Sequence, residues 1–160
     1  MRRSFPAVAF IFLLSGSSLL FAAPRSDFDR IVDFSVTLKS LAAAASGAAA
    51  VPTDRMVILS GTVSDVTILD AKEATFKVRV ELITGEWIGT DDVKAYTCLV
   101  DFTGSEYVKV FPARAPRNAT PGVIASNSRV LVVGKPTSII TSLTGTKEVL
   151  LDGAYIRSVE

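Results

Sequence analysis

From Met56 to Arg157 the chain reads as one strand after another, and its sharpest stretch is Phe76 to Leu82. Phe76, Val78, Val80 and Leu82 are apolar, while Lys77, Arg79 and Glu81 between them are charged. A repeat of two is the period at which successive side chains leave opposite faces of an extended chain, so this segment is a strand with one face in a core and one in water. Tyr96, Cys98, Val100 and Phe102 repeat the pattern and put Cys98 indoors. A longer β-branched run, about Arg55 to Leu69, precedes both, with Gly61 near its centre marking a bend or bulge. Arg129 to Ile140 and Lys147 to Ser158 supply a fourth and a fifth strand.

The connections are read from their turn residues. Asp70 to Glu73 is a turn, Gly85 to Asp92 a loop carrying Trp87, and Pro112 to Asn118 an exposed loop with two prolines and two arginines. Tyr107, Val108, Val110 and Phe111 read as an extension of the sheet past Gly104-Ser105. Thr141 to Thr146 closes a hairpin, and Gly153 marks a kink in the fifth strand.

Ahead of the strands lie two segments of different character. Arg2 and Arg3, the apolar run from Phe5 and the small residues ending at Ala22-Ala23 follow the order of a secretory signal peptide, cut after Ala22. The alternative is an uncleaved anchor, but Ser15 to Ser18 shorten the apolar run below the ~20 residues of a spanning helix. Residues 23–51 are expected to form a helical arm with an Ala-rich linker: Ser26 caps it, Asp27 and Asp29 sit in its first turn, and Gly47 and Pro52 end it. That arm either packs on the barrel or binds a partner. Residues 52–160 are the β domain. Cleavage removes 22 of 160 residues and leaves 138, enough for one domain with a modest core. Of the 17 basic residues, 15 remain against 16 acidic ones, a formal balance of −1. That balance is unlike the basic excess of nucleic-acid modules.

Export permits disulfides, yet Cys98 is the only cysteine, so none can form within the chain. There is no histidine, which removes the commonest general base and metal ligand. Cys98 has no base to activate it and reads as an inert core residue rather than a reactive thiol. Asp70, Asp91 and Asp92 lack the alternating oxygen ligands of a calcium loop, and Gly134-Lys135-Pro136-Thr137 lacks the rest of a phosphate loop. Asn118-Ala119-Thr120 is a glycan acceptor sequence, relevant to a eukaryotic secretory route. No cofactor, metal or enzymatic activity is expected.

Five strands in this order, with a short connection after the third and a hairpin between the last two, resemble an OB-fold, the five-stranded Greek-key barrel. More narrowly, Ser60-Gly61-Thr62-Val63, Thr97 to Val100, Ser128 to Gly134 and Leu150 to Ile156 resemble the tRNA-anticodon-binding-like OB domains of exported bacterial proteins, over roughly residues 55–158. Ser126-Asn127-Ser128 before the fourth strand departs from that family's polar turn, and Glu106 to Arg117 exceeds a minimal barrel. The resemblance implies a ligand face on the second and third strands. It points to Lys77, Arg79, Thr97 and Leu99, with Trp87, Tyr107, Lys109, Lys72 and Lys147 at the margins. Trp87 is either a protein or sugar platform or, with Ile88, an apolar plug for the barrel end. The function expected is a periplasmic or secreted, non-enzymatic binding module with an envelope protein or glycan as partner. The alternative is an oligonucleotide- or oligosaccharide-binding protein using the same face; nucleic acid is the less favoured ligand.

Overall fold

The structure is a computed structural model and describes residues 30–114, 120–141 and 145–159. The expected signal peptide, the start of the arm at Ser26, most of the glycan acceptor sequence and the middle of the last hairpin loop lie outside the described residues. No helix among the described residues is long and apolar enough to cross a membrane.

The described chain runs β1 (Val32–Asp33), α1 (Leu38–Ala45), β2 (Met56–Asp70), β3 (Lys77–Ile88), β4 (Asp92–Thr103), β5 (Arg129–Thr141) and β6 (Lys147–Ser158). The strands form one sheet in the order β1-β2-β3-β4-β6-β5, and β5 returns to pair with β2, which closes the ring. All pairings within the ring are antiparallel except β4 with β6. Leaving out the two-residue β1, this is the Greek-key strand order of the OB barrel. The five expected strands are all present, and the barrel is all-β.

The period-two sequences fill the interior. Val78, Val80 and Leu82 of β3 and Cys98, Val100 and Phe102 of β4 are fully buried, facing Val130 and Val132 of β5 and Val149 and Leu151 of β6. Each of the valine, leucine and phenylalanine side chains stabilises the fold by about 1.5–3 kcal/mol when fully buried. Gly61 and Gly153 are two points where the barrel wall closely approaches a neighbour. A Cβ on Gly61 would lie 3.2 Å from both the Ile83 carbonyl oxygen and Leu38 Cδ1. At Gly61 β2 is passing from its β5 partner to β3, as the expected bend requires. A Cβ on Gly153 would fall 2.4 Å from a ring carbon of Phe102.

The arm differs from its expectation. Val32–Asp33 is a short strand parallel to Met56–Val57 of β2, and the helix is confined to Leu38–Ala45. Thr37 caps it: its side chain accepts from the Ser40 amide, and the Ser40 hydroxyl accepts from the Thr37 amide. Helix α1 packs on the barrel, with Leu38, Leu41, Ala44 and Ala45 buried in the core. The reason lies in spacing, since positions three and four apart share one face. Two further segments depart from the reading of the sequence. Gly85 to Ile88 is not loop but the continuation of β3, paired with β4 up to Ile88 opposite Asp92. Ser105 to Val108 is a 3-10 turn rather than more sheet, and in the core the Phe111 ring stacks on Phe102 while Tyr107 packs tilted against it.

Candidate functional site

The β3–β4 hairpin carries most of the expected site residues, and its register decides what they can do. Outward-facing pairs run along it as Lys77 opposite Thr103, Arg79 opposite Asp101, Glu81 opposite Leu99, Ile83 opposite Thr97, Gly85 opposite Ala95 and Trp87 opposite Val93. Lys77 and Trp87 are ten residues apart on one strand, which at the rise of a strand separates them by about 33 Å. The hairpin therefore has a polar end and an apolar end, not one composite site.

At the polar end both expected cations converge on one carboxylate. Arg79 donates to Asp101 through Nε at 2.6 Å and through Nη2 at 2.9 Å, and the Lys77 ammonium lies 3.1 Å from the same carboxylate. The Asp101 side chain is only 8 % exposed, against 42 % for Lys77 and 30 % for Arg79. Burial pushes the Asp101 carboxyl up, but hydrogen bonds from Arg79 and Lys77 outweigh it and hold it below the usual carboxylate range. The Arg79 guanidinium is raised by the same contact. The triad carries one net positive charge and has little left for a phosphate. Asp101 is the residue sequence reading passed over. A hairpin turn centred on Gly89 to Asp91 would have set Arg79 opposite Asp101.

In the middle of the face, the Thr97 hydroxyl donates to the carboxylate of Glu148 on β6, which is itself buried. Thr97 is thus engaged in holding two strands together. Tyr107 and Lys109 lie beyond the polar end, after β4. Tyr107 is buried, its hydroxyl donating to the Ala154 carbonyl at 3.0 Å, so it is a packing residue and no platform for a ligand. Lys109 is exposed on the turn that follows. Lys72 lies in the exposed turn before β3, and Lys147 opens β6.

At the apolar end Trp87 is 72 % exposed, Ile88 51 % and Val93 47 %. The plug reading of Trp87 and Ile88 is therefore not what the fold does: the hairpin runs past the barrel instead of folding over its end. Helix α1 steadies the base of this projection from the inner side. Lys39 meets Glu86 at 2.8 Å, the Tyr96 hydroxyl donates to Glu86 at 2.8 Å, and Lys39 and Lys94 both lie over the Tyr96 ring. Hydrogen bonds from Lys39, then from Tyr96, lower the Glu86 carboxyl, while the same contact raises Lys39.

The remaining chemistry is sparse. Among the described residues no group of three or more carboxylate, thiol or imidazole side chains could hold a metal ion. Asp70 accepts from the Lys72 amide and the Thr75 hydroxyl at the far side of the barrel from Asp91 and Asp92. Cys98 is fully buried, and burial, then Glu148 and Glu81, push its thiol far up.

No family model matches the sequence, and no curated protein matches it. Solved structures do. A small single-stranded DNA-binding protein of Streptomyces coelicolor superposes with a TM-score of 0.41 and 12 % identity, over 65 % of this chain and 91 % of that one. The N-terminal domain of PriB from Thermoanaerobacter tencongensis gives 0.39 and 11 %, over 66 % and 96 %. PriB of Ralstonia solanacearum gives 0.40 and 9 %, over 66 % and 97 %. At this level of likeness the fold assignment rests on the strand order and register of the barrel itself, and the ligand of none of these proteins transfers to this chain.

Proposed function

We propose that this chain is an exported, non-enzymatic OB-fold binding module of a bacterial cell envelope, periplasmic or secreted, that docks on an envelope protein through the tip of its β3–β4 hairpin. The single observation that carries the reading is Trp87, 72 % exposed on a projecting hairpin with Val93 beside it. Tryptophan on a rigid, exposed support is the residue type most often found at the energetic centre of protein interfaces. The absence of any histidine from the sequence supports a non-catalytic role. Export, and the narrower likeness to the anticodon-binding-like OB domains, rest on the sequence.

An oligonucleotide or oligosaccharide on the β3–β4 face is the weaker reading. A single-strand groove needs free cations interleaved with aromatic platforms. Here Asp101 takes both Lys77 and Arg79, and Tyr107 is inside the barrel.

The test places a photoreactive phenylalanine analogue at Trp87 and, as a control, at Lys109, in cells expressing the full chain. A discrete protein adduct at position 87 and none at 109 is the expected result. No adduct at 87, together with tight and salt-sensitive binding of a labelled oligo-dT by the purified chain, would overturn it.

A further inference from the structure

The wall of the barrel is open along one seam. The β2–β3 ladder ends with Thr62 opposite Ile83. Beyond that point β2 pairs with β5 on one edge, and on its other edge only Met56 and Val57 are covered, by β1. Ile58 to Ser60 therefore have no strand on that edge among the described residues, while Gly61 still lies against the Ile83 carbonyl and Leu38. Thr84 to Ile88 of β3 pair only with β4, so the edge turned toward β2 is uncovered too. Two cavities open on opposite faces of this seam and share Ser60, Thr84 and Gly85. The inner one, about 450 Å³, is walled mainly by Phe34, Val36, Leu38, Leu59 and Tyr96, and also by the Lys39–Glu86 ion pair. The outer one, about 500 Å³, is walled by Thr62, Ile83 and Arg129.

Uncovered strand edges present amide and carbonyl groups ready to pair with another chain. An extended chain laid along such an edge sends alternate side chains to opposite faces. One strand in this seam would thus place every second side chain in the mostly apolar inner cavity and the others in the outer one. Arg129 on the outer side makes no ion pair among the described residues, so the outward side chains that suit it are acidic. The fold already uses this edge once, since β1 lies parallel on β2 directly before the uncovered stretch.

We propose that the seam between β2 and β3 takes up an extended peptide of a partner protein, alternately apolar and acidic, by strand addition. This rests on the reading of the chain as a protein-binding module and supplies the mode of binding.

The experiment selects peptides from a displayed library of random decapeptides on the purified chain and resynthesises the enriched sequences for anisotropy titration. Two variants keep the result interpretable. Ser60→Trp fills the seam from an exposed position, and Arg129→Glu reverses the outer charge at another; thermal melts establish that both fold. Enriched peptides should alternate apolar with acidic residues. Both substitutions, and N-methylation of the peptide backbone, should weaken them by about tenfold or more, some 1.4 kcal/mol. Peptides indifferent to Ser60→Trp, or no enrichment over that variant, would overturn strand addition. So would a concentration-dependent dimer that Ser60→Trp abolishes, or a labelled oligo-dT that binds the parent and not Ser60→Trp. Adducts at position 87 with no seam peptide would remove this inference and leave the hairpin reading standing.

Discussion

Asp101→Asn removes the charge at the centre of the polar end and leaves its shape. Two Arg79 hydrogen bonds of 2.6 and 2.9 Å and a lysine contact of 3.1 Å meet on a carboxylate that is 8 % exposed. Hydrogen bonds to charged groups contribute about 1.5–3 kcal/mol net each, and breaking a fully buried pair costs about 3–5 kcal/mol. The cations here are 30 % and 42 % exposed, so water screens much of that; exposed pairs are worth about 1 kcal/mol at most. The amide retains one acceptor for Arg79. A loss of about 2 kcal/mol at neutral pH lies between these limits. For a domain of this size it corresponds to a fall of about 5–8 °C in Tm. The pH dependence follows from the direction of the shift. The native carboxyl is held below its unfolded value, so its contribution is complete above the unfolded pKa and is lost as pH falls through the lower, native one. Urea unfolding of the parent and of Asp101→Asn should differ at about pH 7 and converge well below the ordinary aspartate pKa of about 3.9. Equal stabilities at neutral pH, or a gap that persists in acid, would show that the triad does not hold the barrel as its geometry implies.

The same variant leaves Lys77 and Arg79 without their carboxylate, so it should bind labelled oligo-dT more tightly than the parent does, with a steeper salt dependence; an unchanged salt slope would count against the neutralisation argument. Trp87 is the only tryptophan, so intrinsic fluorescence reports on it alone; emission close to that of tryptophan in water and ready quenching by iodide are expected, and a blue-shifted, protected signal would restore the plug. Cys98 should not react with an aromatic disulfide reagent at mildly alkaline pH until the chain is unfolded, because its thiol is buried and its pKa raised; prompt labelling of the native protein would contradict that. Gly153→Ala should destabilise by about 2–3 kcal/mol in a chemical melt, the cost of forcing a methyl group into the Phe102 ring; a neutral effect would mean that Phe102 has room to move.

The barrel was legible because its signal is local. Alternation at Phe76 to Leu82 and Tyr96 to Phe102 is written in consecutive residues, and the water-insoluble half of each strand has only one place to go. Turn residues at Gly89 and Gly104 punctuate it. Helix α1 was harder, since an Ala-rich stretch favours helix without saying where it starts, and only the capping exchange of Thr37 with Ser40 and the burial of Leu38 and Leu41 fix it. Tyr107 and Trp87, both aromatic and each preceded by a glutamate and followed by an aliphatic residue, could not be told apart from sequence. One is held inside by Phe102 and the Ala154 carbonyl, and the other rides on a hairpin longer than the barrel wall it springs from.

By itself the sequence determined the five barrel strands, their inward faces, the single buried thiol and the lack of histidine chemistry, because period and composition belong to each segment alone. Only the tertiary structure decided that Asp101 meets Lys77 and Arg79 from another strand, that Thr97 ties to Glu148, and that β2 and β3 part beyond Thr62 and Ile83. Those outcomes depend on register and ring closure, where residues far apart in the chain come within a few ångströms and charge, burial and open edges are settled together.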